Sequence, residues 1–125
     1  MAISSSETDS TVVNQNSTIV NPGNKISTIK LNDENFLLWR LQITTALQGH
    51  GLGKFIDPEA KIPSEFVQSA DESSSVPSPN PEFINWKRQD KLITSWLLGS
   101  MSEEILSQML ECETAQEVWL NNKHH

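Results

Sequence analysis

Cysteine is almost absent from this chain, since Cys112 is the only one among its 125 residues. A lone thiol cannot close an intramolecular disulfide, so a secreted scaffold held together by disulfides is excluded. No apolar run approaches the roughly 20 residues that span a bilayer. The first residues also lack the basic and apolar regions of a secretory signal. We therefore expect a soluble cytoplasmic protein without a membrane partner.

Basic side chains are also scarce, because 9 Lys and Arg stand against 16 Asp and Glu, which gives a formal net charge of -7. Such a chain is repelled by phosphate backbones, so RNA binding is expected to be weak or absent. Lys87, Arg88 and Lys91 form one small basic face on a predicted helix. A face of this size is typical of a solvated surface, with a nucleic-acid site as the alternative.

Two stretches lack the periodicity of packed elements. Residues 1–25 are rich in Ser, Thr and Asn and are predicted to be a disordered arm, and residues 58–80 are predicted to be a flexible Ser/Pro-rich loop. We predict one helical domain over residues 26–120, which contains this insert, and a tail over residues 121–125. Only about 70 residues are then left for the core, a size at which folding is marginal.

Helix-start signals predict an all-α fold, a small bundle of four to five short helices. The signals are N-cap side chains, a proline at a first helical position and a capping box, found at Asn32, Asp33, Asn80, Pro81, Ser102 and Thr114–Glu117. Residues 26–31 contain β-branched side chains in partial alternation, which indicates one short strand or an extended arm.

The apolar side chains of the predicted helices form stripes about as wide as a core-facing surface. All four tryptophans belong to these helices, and they could instead be platforms on which bases stack. Their neighbours are mostly acidic or apolar, however, so core packing is favoured. The predicted core residues are Phe36, Trp39, Ile43, Leu47, Trp86, Ile93, Trp96, Leu97 and Trp119.

Two features of the helices do not fit a simple core. Leu37, Leu38 and Leu41 lie outside the apolar stripe of the first helix, so they are a predicted interaction surface, covered either by the same domain or by a partner. Asp90 lies inside the apolar stripe of the second long helix, where an unpaired charge is costly. We predict that Arg40, or an amide at the start of the Ser102 helix, satisfies this carboxylate in a structural role.

Catalytic and metal sites are not indicated. Cys112, His124 and His125 are possible metal ligands, but zinc sites normally show paired ligands at close spacing, so a wholly or partly buried thiol between helices is favoured for Cys112. His50 lies in a Gly-His-Gly turn with no nucleophile or carboxylate in a recognisable motif. We expect no enzyme, no cofactor, no metal and no small-molecule substrate.

Several blocks of the sequence resemble one known family. The first is the run from Lys30 to Arg40, with a Lys-Leu-Asn opening, an Asn-aromatic pair and a Trp followed by a base. The others follow in order at Gly49–Leu52 with Phe55–Asp57, at Trp86 with Asp90, at Ser95–Leu98, at Ser102–Ile105 and at Thr114–Trp119. Together they resemble the N-terminal Gag segment of plant Copia-type LTR retrotransposons over about residues 28–120.

The resemblance implies an all-helical, capsid-like domain that associates with itself, or with full-length Gag, into a particle around element RNA. A full Gag of this kind continues through more helices and usually carries a Cys-Cys-His-Cys zinc knuckle. Neither is found in this sequence, which is therefore interpreted as a truncated Gag. Two alternatives stay open: a nucleic-acid-binding module of a retroelement Gag, and a helical adaptor protein unrelated to assembly.

Overall fold

The computed structural model describes residues 19–24, 26–68 and 76–122. Most of the arm predicted over residues 1–25 lies outside the described residues, as do His124 and His125. The described ranges contain four α-helices, which are α1 (Phe36–Gly49), α2 (Pro81–Gly99), α3 (Glu103–Leu106) and α4 (Ala115–Asn122). The last of these includes the first two residues of the predicted tail.

Shorter elements connect these helices. Single turns of 3-10 helix cover Pro22–Asn24, Gly53–Ile56 and Ser107–Met109. Two strands of two residues each, β1 (Phe66–Val67) and β2 (Ser78–Pro79), form a small antiparallel sheet. The predicted all-α class is confirmed, and no helix in the described ranges is long and apolar enough to cross a membrane.

The described chain divides into two compact units. One unit contains residues 19–20, 62–68 and 76–88, and the other contains residues 21–24, 26–61 and 89–122. Helix α2 begins in the first unit and ends in the second.

The first unit is built around Asn80, which combines two roles. Its side-chain oxygen accepts a hydrogen bond from the Glu82 amide at 3.1 Å, so Asn80 caps α2 while Pro81 occupies the first helical position. Its side-chain amide donates to the Ser64 carbonyl at 2.7 Å, and its backbone amide donates to the Glu65 carbonyl at 3.0 Å. The predicted cap is therefore present, and it also closes the base of the β1–β2 hairpin. The hairpin itself falls in the stretch predicted as a flexible loop.

The second unit contains the buried core. Trp39, Ile43 and Leu47 of α1 recur at every fourth position and are fully buried, as the helical period requires of a core-facing stripe. The rings of Trp39 and Trp119 stack with centroids 5.5 Å apart, which joins α1 to α4. Ile93 of α2 is also fully buried, and each side chain of this kind contributes about 1.5–3 kcal/mol when it leaves water.

The stretch predicted as a strand or an extended arm over residues 26–31 is extended and makes one isolated bridge. Leu31 pairs in parallel with Met101, donating to the Ser100 carbonyl at 2.7 Å and accepting from the Ser102 amide at 2.8 Å. The Ser100 hydroxyl in turn accepts from the Trp39 indole N–H at 2.8 Å. These bonds satisfy buried polar groups at the centre of the unit.

Helix α1 begins later than the caps predicted at Asn32 and Asp33. The Asn32 side chain accepts from the Glu34 amide at 2.8 Å, so it closes a local turn and does not cap the helix. The Asn35 side chain accepts from the Asn32 amide at 2.8 Å and donates to the Lys30 carbonyl at 2.7 Å. The connection is thus stabilised by its own side chains before α1 starts at Phe36.

Candidate protein-protein interaction surface

Helix α1 carries exposed leucines on the side away from its core stripe. Leu37 is 74% exposed, and Leu38 and Leu41 are each 65% exposed. Since an α-helix has 3.6 residues per turn, these side chains project to other sides of the helix than the buried Trp39 and Ile43. We call Leu37, Leu38 and Leu41 the α1 leucine face. The three residues predicted as an interaction surface are thus in contact with solvent along one helix.

A groove of about 510 Å³ lies beside the α1 leucine face. We call it the α1 groove, and its lining consists of Ile26, Ile29, Leu38, Leu41, Gln42, Thr45 and Ala46. One wall is helix α1 and the other is the extended stretch that precedes Leu31. The lining is almost entirely apolar, as in grooves that accept a helix or an apolar side chain of a partner.

Hydrogen bonds hold the extended wall of the α1 groove against the helices. The Ile29 amide donates to the Gln42 side-chain oxygen at 2.8 Å. The Trp96 indole N–H donates to the Ile26 carbonyl at 3.3 Å. The backbone groups of both wall residues, Ile26 and Ile29, are therefore hydrogen-bonded to side chains of the helices. The groove is thus formed before any partner binds.

The electrostatic character of α1 differs from that of the whole chain. Its 14 residues include no Asp or Glu, and Arg40 is the only charged side chain. The Arg40 guanidinium carbon lies 6.0 Å from the centroid of the Trp119 ring, within the range of a cation–π contact. A chain with net charge -7 thus presents one apolar surface that is free of acidic residues along a whole helix.

Comparison with known proteins gives the origin of this chain. It is 32% identical over 108 residues, which are 86% of the chain, to the retrovirus-related Pol polyprotein from transposon RE2 of Arabidopsis thaliana. The same identity and the same coverage relate it to the retrovirus-related Pol polyprotein from transposon RE1 of that plant. The chain has a retrotransposon origin.

The retrotransposon-derived chain spans about 7% of the length of the curated relatives that it matches. No family model matches it, and no solved structure matches it. The names of the two polyproteins do not say what the matched segment does. A Gag identity and a role in assembly are therefore proposals.

Asp90 of the retrotransposon-derived chain is buried, but its partner is not one of the predicted groups. The carboxylate accepts a hydrogen bond from the Ala115 amide at 3.1 Å, at the first residue of α4, and not from the start of α3. Arg40, the other predicted partner, is exposed and lies over the Trp119 ring. The prediction was wrong about the partner because α4, not α3, brings its N-terminal amides to this carboxylate.

The environment of Asp90 opposes its charge. Burial raises the pKa of this carboxyl, while the Ala115 amide and the Lys91 ammonium lower that pKa and Glu117 raises it. The second oxygen of the carboxylate has no hydrogen-bond partner among the described residues. The position of the first oxygen at the start of α4 is nevertheless favourable, because a helix N-terminus carries a partial positive charge.

The predicted core residues differ in how deeply they are buried. Trp39, Ile43, Leu47, Ile93, Trp96, Leu97 and Trp119 are buried. Phe36 and Trp86 are only half-buried. The Trp86 ring stacks on Phe83, with centroids 5.9 Å apart, inside the first unit.

The residues considered for nucleic-acid or metal chemistry lie at separate places in the described part of the chain. Lys87, Arg88 and Lys91 are all exposed, and the Lys91 ammonium donates to the Glu113 carbonyl. Cys112 is a half-buried free thiol, and no group of three or more His, Cys, Asp or Glu in the described ranges could hold a metal. His50 is an exposed residue directly after α1.

The extended wall of the α1 groove was not predicted as part of the site. Ile26 and Ile29 are in the stretch predicted as a strand or arm, and nothing in their spacing indicates that they face α1. No residue of the sequence signals this wall, because the Gln42 side chain that accepts from the Ile29 amide is exposed and is one of several polar side chains of α1.

Proposed function

We propose that this chain is the N-terminal Gag segment of a Copia-type retroelement and that it acts by associating with other copies in particle assembly. The proposal assigns it no catalytic step, no cofactor and no small-molecule substrate. The retrotransposon relatives and the ordered sequence blocks from Lys30 to Trp119 support the Gag assignment. The partners in this proposal are further copies of the chain and full-length Gag.

The observation that carries the proposal is the exposure of the α1 leucine face beside a preformed apolar groove. Large side chains scattered singly on a surface need no explanation, whereas contiguous apolar patches mark interaction sites. The three leucines lie close together on one helix and are continuous with the α1 groove, so they form such a patch. Its burial against another protein would remove a large apolar area from water.

Sedimentation velocity over a wide range of protein concentration tests the proposal. We expect the weight-average sedimentation coefficient to rise with concentration, and we expect immobilised chain to retain full-length Gag of the same element. A folded monomer at every concentration, together with no retention of Gag, would overturn the proposal. Circular dichroism at each end of the concentration range verifies that the helices are intact in both states.

A nucleic-acid-binding module is the second candidate, and the exposed pair Lys87 and Arg88 is the observation in its favour. Counterion release by two or three cations supplies little affinity, and the net charge of -7 opposes it. Filter binding of single-stranded RNA at low salt separates the candidates. Retention that disappears in a Lys87→Ala/Arg88→Ala double variant would favour the RNA-binding module.

The third candidate is a helical adaptor that binds a helix of an unrelated protein in the α1 groove. The apolar lining of the groove is the observation in its favour. An adaptor of this kind would stay monomeric at all concentrations by itself. The sedimentation experiment therefore separates the adaptor from the assembly protein without knowledge of the adaptor's partner.

A further inference from the structure

We infer that the α1 groove receives the α1 leucine face of a second copy, in a twofold-symmetric contact with Leu41 of both copies at the axis. The inference rests on the proposed function and adds the surface, the symmetry and the central residue of the self-association. It identifies α1 as the part of the chain through which two copies meet.

The shape of the surface is the first argument. The α1 leucine face consists of side chains that project into solvent from α1, the α1 groove lies beside it, and both include Leu38 and Leu41. A surface that carries a ridge and a matching groove side by side can pair with its own copy by a half-turn rotation, in which each ridge enters the groove of the other. A chain with only a ridge or only a groove would need a different partner.

The position of Leu41 selects the axis. The helical residues that line the α1 groove run from Leu38 to Ala46, and Leu41 is the exposed leucine nearest the middle of this run. With the two α1 helices antiparallel across an axis at Leu41, Leu38 of one copy lies opposite Thr45 of the other, because these residues are about one turn away on either side. The large Leu38 side chain is thus matched with the smaller Thr45.

Charge is the argument for a second copy as the occupant. Two molecules of net charge -7 repel each other, and the repulsion is least where the approaching surfaces carry no acid. Helix α1 contains no Asp or Glu, and its single cation, Arg40, is engaged with Trp119. A strongly basic partner would instead be drawn to acidic surfaces elsewhere. The α1 helix is therefore a surface on which a like-charged copy meets little direct repulsion from acidic side chains.

Complementary charges at position 41 provide the decisive experiment. We expect Leu41→Glu and Leu41→Lys each to weaken self-association about tenfold or more, because each places two like charges at the axis. Mixing the two variants in equal amounts should restore association, since a residue at a twofold axis meets its own counterpart. The restored species should contain one copy of each variant, as mass spectrometry of the cross-linked product can show.

Disulfide trapping provides an independent readout. In a Cys112→Ser background, Leu41→Cys should form a covalent dimer under mild oxidation, at a rate that rises with protein concentration. Leu110→Cys is the matched control, because Leu110 is 86% exposed but lies outside the groove. We expect the Leu110→Cys variant to give little dimer under the same conditions, as only random collisions join two such thiols. Circular dichroism of each variant confirms that exposed-site substitution leaves the fold intact.

The possible outcomes separate this inference from the proposed function. If the native chain associates but the Leu41→Glu and Leu41→Lys variants associate equally well, another surface is used and only the inference is overturned. If the native chain stays monomeric at all concentrations, both fail. If each single variant fails to associate and mixing the two variants does not restore association, Leu41 does not lie at the axis.

Residues 1–18 of the same chain are the competing occupant of the α1 groove. If they fill it, a chain that starts at Ile19 should react faster than the full chain with a thiol reagent at Leu41→Cys, and the full chain should remain monomeric. That pair of results would overturn the inference. Equal reaction rates in dilute solution, with slower reaction in both chains as concentration rises, are expected if a second copy covers the groove.

Discussion

At the scale of single residues, Asp90 is the least typical member of the fold. A fully buried carboxylate normally has a cation or several donors, and among the described residues Asp90 accepts from one backbone amide, that of Ala115, with the Lys91 ammonium and the Thr94 hydroxyl as further groups that favour its charge. Through the bond to Ala115 a side chain of α2 accepts from the first residue of α4, so Asp90 connects these two helices. Burial disfavours its charge more than the amide at the start of α4 favours it, so the pKa of this carboxyl is raised.

Substitution of Asp90 should separate its hydrogen bond from its charge. We expect Asp90→Ala to lower the free energy of unfolding by about 1–3 kcal/mol, because the Ala115 amide is left buried without an acceptor. Asp90→Asn is the matched control, since it keeps an acceptor oxygen of the same size and loses the charge. Thermal unfolding followed by circular dichroism gives the order of stability. An unchanged melting temperature in Asp90→Ala would refute the capping role.

The raised pKa of Asp90 also predicts a pH dependence. In the folded protein this carboxyl keeps its proton to a higher pH than in the unfolded chain, so the fold binds more protons over that range. The stabilisation from that proton is complete below the ordinary Asp pKa of about 3.9. It is lost as the pH rises through the higher folded-state value.

Comparison of the native chain with Asp90→Asn isolates this contribution, because the other carboxylates titrate in both proteins. We expect the stability of the native chain relative to Asp90→Asn to decrease as the pH rises from about 4 towards neutrality. Urea unfolding at a series of pH values measures the difference. A difference that increases with pH would contradict a raised pKa for Asp90.

At the scale of elements, the sequence specifies the helices better than it specifies their contacts. The Asn80–Pro81 start, the Ser102 start and the Thr114 start all appear in the structure, since a helix cap depends on residues within one turn. The stripe of α1 was predictable for the same reason, because the 3.6-residue period is local. These features account for the confirmed all-α class.

Contacts between distant segments were less predictable. The prediction of the Asp90 partner was wrong because Ala115, at the start of α4, lies 25 positions further along the chain than Asp90. No local pattern indicates which helix start approaches a given side chain. The groove wall at Ile26 and Ile29 depends on bonds to Trp96 and Gln42 that are equally non-local. The β1–β2 hairpin was missed because its two-residue strands are too short to show alternation.

Asn80 offers a prediction at the scale of elements, because it both caps α2 and closes the hairpin. We expect Asn80→Ala to cost about 1 kcal/mol or more, since it removes the cap and the bond to the Ser64 carbonyl together. Asn80→Asp should retain the cap to Glu82 and lose the donor to Ser64. Amide hydrogen exchange should then be faster at Glu82 only in the Ala variant. Equal exchange at Glu82 in both variants would contradict the dual role.

At the scale of the whole molecule, the chain combines a large negative charge with one apolar helix surface. The charge of -7 keeps copies apart over most directions of approach, while the α1 leucine face and groove provide one surface without acid. Self-association through this surface is opposed by the overall field and driven by apolar burial. Salt concentration and pH act on the electrostatic repulsion between copies far more than on the burial of apolar surface.

We therefore expect self-association to strengthen when the net charge is screened or removed. Raising sodium chloride from about 0.05 M to about 0.5 M shortens the Debye length below about 10 Å, so the repulsion between two copies falls and the apparent dissociation constant should decrease several-fold. Lowering the pH towards the sequence pI of about 4.8 should act in the same direction. Sedimentation velocity measures both trends, and Leu41→Glu is the control that should associate more weakly than the native chain at either salt concentration. RNA binding would show the opposite salt dependence, because phosphate contacts weaken as salt rises. Association that decreases with salt would mean that ion pairs, and not the apolar surface of α1, hold the copies together.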